Sequence, residues 1–285
     1  MIALPRSIAE ALRALDADPD ATLLAGGTDL MVAVNAGQHR PRSVVSLTRV
    51  SELQGWRREA DEVVLGSCLT YADMEQGELA RLVPALAQAA RTVGSPQIRA
   101  AATLGGNIGT ASPAGDTLPV LAALDAVVEV AGASGVRRVP LMELIVGVKE
   151  TTLRAGEIVT AVRVPVLRGG QEFLKVGTRN AMVISAVIVA VVVDVDGRSV
   201  RAGLGSVSPV PLRAREAEEY VARHIDWSRP GVSGPEVVER FGALCAAAAA
   251  PIDDHRSSAD YRRRAVAVCA SRALARHLPP PDNPP

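Results

Sequence analysis

Residues 103–116 read TLGGNIGTASPAGD, a stretch almost without large side chains, set between two strongly apolar segments. A segment like this is either a loose linker or a piece of backbone built to approach something closely. Glycine permits both, because the missing Cβ opens positive φ and removes the obstacle to contact. A second such turn, AGGTD at 25–29, follows a short apolar strand at 22–24. It precedes a helix that Thr28 or Asp29 can cap and Gly37 can end. A strand-to-helix turn of this kind directs backbone N–H groups toward one point, which suits an anion. It also serves as a plain turn. The chain has no GxGxxG, so a Rossmann-type single-loop grip is not on offer.

The surrounding pattern is mixed. Ser7 followed by Glu10 is a capping-box signature for a helix through Leu15, and residues 1–56 read as a small β-α-β unit. Residues 57–167 form a second unit. It has a strand at 63–65, a helix from Thr70, an amphipathic helix at 79–93 ended by Gly94-Ser95-Pro96, a helix at 118–124 and strands at 126–132, 137–139 and 156–165. The last of these alternates like a half-buried strand. Residues 168–278 form a third unit. In it, EFLKVGTRN is a strand and turn, and Asp196-Gly197 joins two further strands as a hairpin. Helices are expected at 213–224, 235–249 and 258–277, and residues 279–285 read as a disordered tail. Strands and helices mixed in this way indicate an α+β architecture.

Composition narrows the partners. The 285-residue chain has a formal net charge of +0 and 22% charged residues, with no basic stripe. This argues against nucleic acid or an anionic membrane surface. The most apolar run, AMVISAVIVAVVV from Ala181 to Val193, is too short for a membrane span and rich in β-branched residues, so it reads as a buried strand. Cys68, Cys245 and Cys269 are scattered, as are the four histidines, leaving no CxxC or Cys/His ligand set. The thiols and the absence of a signal-peptide pattern in MIALPRSIAEALRAL point to the cytoplasm. No catalytic triad and no motif of paired carboxylates is present, so no catalytic residue is assigned.

Taken together, LLAGGTDLMV (23–32), TLGGNIGTASPAGDTLPVLAALDA (103–126), GEIVTAVRVP, FLKVGTRN and DDHRSSADYRRRAV (253–266) resemble the FAD-binding medium subunits of the molybdenum hydroxylases, the family of xanthine and carbon monoxide dehydrogenases. The resemblance runs in order along nearly the whole chain. It implies a two-subdomain FAD-binding fold of the vanillyl-alcohol-oxidase (PCMH) type, followed by a smaller α/β C-terminal domain. It also implies an electron-transfer role between a large molybdenum-cofactor subunit, a small subunit with [2Fe–2S] clusters, and NAD⁺ or another acceptor. The expected assembly is a dimer of heterotrimers. A free-standing flavin oxidoreductase of the same fold, or an FAD-free scaffold subunit, is the alternative.

Carried over residue by residue, the resemblance implies cofactor contacts at Leu24, Ala25, Gly26, Gly27, Thr28, Asp29 and Leu30. It implies a second loop at Thr103, Leu104, Gly105, Gly106 and Asn107. In this reading the two glycine loops hold the FAD diphosphate from two sides through their backbone N–H groups. Asp116 matches an acidic residue that hydrogen-bonds FAD, and it is equally placed to cap the helix at 118. Lys175 matches a lysine near the flavin, or is a strand-edge lysine. Val93 and Val159 match positions touching the isoalloxazine, or are core residues. The first loop offers no histidine, so the FAD is expected to be non-covalent.

Overall fold

A computed structural model describes residues 1–179, 182–232 and 234–278. The expected tail at 279–285, and Asn180 and Ala181 of the quoted stretches, lie outside them. The chain opens with β1 (Ile2–Ala3), α1 (Ile8–Ala17), β2 (Thr22–Leu24), α2 (Leu30–Asn35) and β3 (Val44–Ser46). The three strands form a parallel sheet in the order β1-β3-β2. Ser7 Oγ starts α1 by accepting the Glu10 N–H at 3.1 Å. The Glu10 carboxylate accepts from the Arg6 N–H instead of Ser7, so only half of the expected capping box forms. Asp29 precedes α2 without a side-chain cap bond.

The second unit holds β4 (Trp56–Glu59), β5 (Glu62–Gly66), α3 (Tyr71–Met74), α4 (Gly77–Leu82), α5 (Pro84–Arg91), α6 (Pro96–Ala101), α7 (Leu104–Thr110) and α8 (Leu118–Ala123). After these come β6 (Val127–Gly132), β7 (Gly135–Pro140), α9 (Leu141–Leu144), the hairpin β8 (Ile145–Gly147) and β9 (Glu150–Thr151), and β10 (Ile158–Pro165). An antiparallel sheet runs β4-β5-β10-β6-β7.

Three local expectations are corrected here. The single helix at 79–93 is two, because Pro84 has no N–H to continue the ladder and pushes Val83 out of the helical region, to φ −132° and ψ 67°. Ser95-Pro96 is a start as well as a stop: Ser95 Oγ accepts the Ile98 N–H, and Pro96 occupies the first helical position of α6. β10 is buried along most of its length, not half-buried. It lies between β5 and β6, and its one long polar side chain, Arg163, is tied to Glu129, Glu59 and Glu62.

The third unit contains β11 (Gln171–Val176), β12 (Val187–Asp194), β13 (Ser199–Gly205), β14 (Leu212–Arg213), α10 (Arg215–Ala222), α11 (Pro235–Ala248) and α12 (Ala259–His277). Its antiparallel sheet runs β11-β12-β13-β14. The turn through Gly197 forms as the sequence indicates, with Asp194 Oδ1 accepting the Gly197 N–H at 2.9 Å.

β12 explains the apolar run. Val187, Val189, Val191 and Val193 pack into a core closed by α10, α11 and α12. Ile188, Ala190 and Val192 face the other way, into the core of the second unit beside α5 and α8. Both faces are covered, so no polar alternation survives. The second and third units thus share a strand, and side chains stitch them further. Gln88 Oε1 accepts the Phe173 N–H at 2.7 Å, and the Arg213 guanidinium donates to the Ala122 carbonyl at 3.0 Å. Among the described residues, no helix is long and apolar enough to cross a membrane.

Candidate functional site

The turn after β2 and the segment around α7 meet across an open-sided cavity of about 690 Å³. Leu24, Ala25, Gly26, Gly27, Thr28, Asp29 and Leu30 line it from the first unit. Val93, Thr103, Gly105, Gly106, Asn107, Asp116 and Val159 line it from the second. Leu104 and Lys175 do not. The Leu104 side chain is fully buried in the core beneath the cavity. Lys175, on β11, sits behind Asp116.

Residues 103–107 are not a loop. They are the first turn of α7, started by Thr103, whose Oγ1 accepts the Gly106 N–H at 3.1 Å. This changes what the second glycine segment can do. The Leu104 N–H goes to the Leu69 carbonyl at 3.0 Å, that of Gly105 to Ser67 at 2.7 Å, and that of Asn107 to Thr103 at 3.1 Å. Every backbone donor from 104 to 107 is therefore engaged within the protein. The first turn is the opposite case: the N–H groups of Gly26, Gly27, Thr28 and Asp29 meet no acceptor among the described residues. An anion in the cavity finds free backbone donors on one side only. On the other it finds side chains.

The glycines themselves serve the fold more than the cavity. A Cβ on Gly26 would lie 1.8 Å from the Ala101 carbonyl oxygen, and one on Gly105 would lie 2.6 Å from Ser67 Cβ. Two backbones pack directly against each other there, which requires the bare residues. Gly27 needs glycine for another reason, its φ of +71°. At Gly109, which also lines the cavity, nothing stands within 4 Å of an added Cβ.

Asp116 does not cap α8. Its Oδ2 accepts from Lys175 Nζ at 2.6 Å and from Thr92 Oγ1 at 3.2 Å, while Oδ1 is buried and has no partner. Burial pushes this carboxyl above its ordinary range, and the adjacent Lys175 charge works against that. The lysine ammonium also donates to the Thr92 carbonyl at 3.2 Å.

Three residues carry no signal in the sequence: Ser67, with an unpartnered buried Oγ, and Tyr71, an aromatic side chain, line the cavity, and Thr117 stands behind them. Thr117 Oγ1 donates to Asn107 Oδ1 at 2.6 Å from just behind the wall. Each of the three becomes visible only when β5, α3 and α8 converge.

The donor set fits FAD. Free N–H groups on one wall, the Asn107 amide opposite, and an orphaned buried carboxylate oxygen complement a ligand that carries both phosphate oxygens and hydroxyl donors.

Known proteins agree with this reading. Residues 2–167 match the family described as the FAD binding domain in molybdopterin dehydrogenase, and residues 172–277 match the CO dehydrogenase flavoprotein C-terminal domain. The chain is 30% identical to the glyceraldehyde dehydrogenase medium chain of Sulfolobus acidocaldarius, over 94% of each protein. It is also 30% identical to the carbon monoxide dehydrogenase medium chain of Afipia carboxidovorans, over 95% of this chain and 94% of the relative. A crystal structure of the Cu,Mo-CO dehydrogenase superposes with a TM-score of 0.88 at 29% identity, covering 96% of both chains. The quinoline 2-oxidoreductase of Pseudomonas putida 86 superposes with the same score at 25% identity, covering 96% of this chain and 95% of the other. On these matches the chain belongs to the FAD-binding medium-subunit family of the carbon monoxide and xanthine dehydrogenase type, whose members are oxidoreductase subunits.

Proposed function

We propose that this chain carries non-covalent FAD as the electron-transfer subunit of a cytoplasmic molybdenum hydroxylase. It would take electrons from [2Fe–2S] clusters on a small partner subunit and pass them to NAD⁺ or another acceptor. A large partner would hold the molybdenum cofactor and oxidise the substrate, and the whole would assemble as a dimer of heterotrimers. The observation that carries this reading is the pairing of free N–H groups at Gly26–Asp29 with the orphaned Asp116 oxygen across one cavity. Bound flavin supplies the redox chemistry, accepting electrons singly and releasing two as hydride.

This chain's residues have the simpler task of holding the cofactor in place. The 26–29 turn offers backbone donors to anionic oxygens. Asn107 and Asp116 offer one donor and one acceptor, and Val93 and Val159 supply apolar wall. Lys175 acts through Asp116, its charge opposing the pull of burial toward the protonated carboxyl.

The test is to express the chain alone and with its genomic neighbours, then record the visible spectrum and the co-purifying subunits. A yellow chain that co-purifies with iron–sulfur and molybdenum subunits is expected. A protein that stays colourless after reconstitution with FAD refutes the proposal, and a yellow monomer turning over its own substrate replaces it with a free-standing flavoenzyme.

A further inference from the structure

Asn107 is the side chain of the α7 wall that carries its donor and its acceptor on separate atoms, and its usefulness depends on which of them faces the cavity. Thr117 is fully buried behind it, with Oγ1 2.6 Å from Asn107 Oδ1. The phenol of Tyr71, itself buried, neighbours this hydroxyl. A threonine hydroxyl has one proton to give and lone pairs to accept with. The threonine gives that proton to Asn107 Oδ1. The amide reversed would set Nδ2 against that hydroxyl and force its buried proton to find another acceptor, and a buried O–H without one is costly. Gly115 contributes space: a Cβ there would stand 2.7 Å from Asn107 Nδ2 and displace the amide. Nδ2 has no acceptor among the described residues.

Building on the FAD reading above, we infer that Thr117 is a positioning residue: together with Gly115 it locks the Asn107 carboxamide with its oxygen turned inward and its NH₂ presented to the cavity. Asn107 then acts only as a donor, toward an acceptor oxygen or ring nitrogen of the flavin nucleotide. Since the backbone donors from 104 to 107 are all engaged, this amide is the donor that the first turn of α7 offers the cavity.

The inference is tested by titrating the full apo chain with FAD, following flavin fluorescence, in wild type, Thr117→Val, Thr117→Ser, Asn107→Ala, Asn107→Asp and the Asn107→Ala/Thr117→Val double variant. Thr117→Val is expected to weaken FAD binding about 10-fold, the scale of one mispositioned hydrogen bond. Thr117→Ser should stay within about 2-fold of wild type. A purely structural role for Thr117 would weaken binding equally in both backgrounds, whereas the positioning role predicts no added loss in the Asn107→Ala background. Asn107→Asp keeps the bond to Thr117 but presents a negative acceptor, so it should bind more weakly than Asn107→Ala. The inference fails if Thr117→Val binds like wild type, if its loss persists in the double variant, or if Asn107→Asp binds as tightly as wild type. Asn107→Asp changes a partly exposed side chain, and its binding as tightly as wild type overturns the inference even if Thr117→Val does not fold. A wild-type chain that takes up no FAD sinks the parent reading instead, so the two failures are distinct.

Discussion

Replacing Lys175 with methionine tests the electrostatic core of the site. Asp116 is 7% exposed and pairs with Lys175 Nζ at 2.6 Å. Without the ammonium, the native state must either bury a bare carboxylate or protonate it. The first costs about 3–5 kcal/mol. The second sets a ceiling: holding a proton at pH 7 that the unfolded chain, titrating near 3.9, has released costs about 4 kcal/mol. The ceiling drops by about 1.4 kcal/mol for each unit the pH is lowered, to about 1.5 kcal/mol at pH 5. The sign follows from proton counts. The variant's native carboxyl binds more protons than the unfolded one, so its stability falls as pH rises above the unfolded value. Lys175→Met should therefore lose about 3–4 kcal/mol at pH 7 and clearly less at pH 5. Urea unfolding of the apo chain at both pH values measures this. Asp116→Asn added to Lys175→Met should restore most of the loss at pH 7, because no buried charge remains. An equal loss at both pH values, or a double variant as unstable as the single one, refutes the reasoning.

Gly26→Ala should destabilise the chain by about 2–3 kcal/mol, since its Cβ meets the Ala101 backbone at 1.8 Å and neither side can move cheaply. Gly109→Ala, in open space, should change stability by about 1 kcal/mol or less, and urea midpoints of the two variants compare them. Asp254 accepts the Arg256 N–H at 2.8 Å and the Arg262 guanidinium at 2.6 Å; partial burial opposes these bonds but they win, holding its carboxyl down at about 2 from an ordinary 3.8. The unfolded chain binds the extra proton in that window, so this contribution is complete above about pH 4 and is lost as pH falls toward 2. Asp254→Asn should flatten that part of the acid-unfolding curve, read by circular dichroism.

Much of the fold was legible because its cues are local. The Ser7 cap, the β-α-β order around 22–46 and the Asp196-Gly197 turn each follow from a few adjacent residues. What escaped depends on contacts between distant segments. TLGGNIGT reads as a loop because three glycines are poor helix formers, yet Thr103 caps it and the Ser67 and Leu69 carbonyls receive its first donors. Pairing the two glycine segments did locate the cavity. It misplaced the reason for the bareness, because Gly26 and Gly105 yield to neighbouring backbone that lies about 75 and 38 residues away in the chain. The Asp116–Lys175 pair joins two units, with the five strands β6 to β10 between its members in the chain, so no window of sequence contains it. Thr117 was hidden for a related reason: next to Asp116 it looks like the start of a helix, and only the returning α7 gives its hydroxyl an object.

The doubly covered β12 has a consequence for how the molecule comes apart. Its odd-numbered valines belong to one core and its Ile188, Ala190 and Val192 to another. Pulling the C-terminal third away does not unclip a module at a linker; it tears an apolar face off the cofactor-bearing part and exposes α5 and α8 to water. The two parts should then melt in a single cooperative transition, and a truncation ending near residue 167 should aggregate. The strand that looks most like inert filling thus makes the cavity's integrity depend on helices that never touch it.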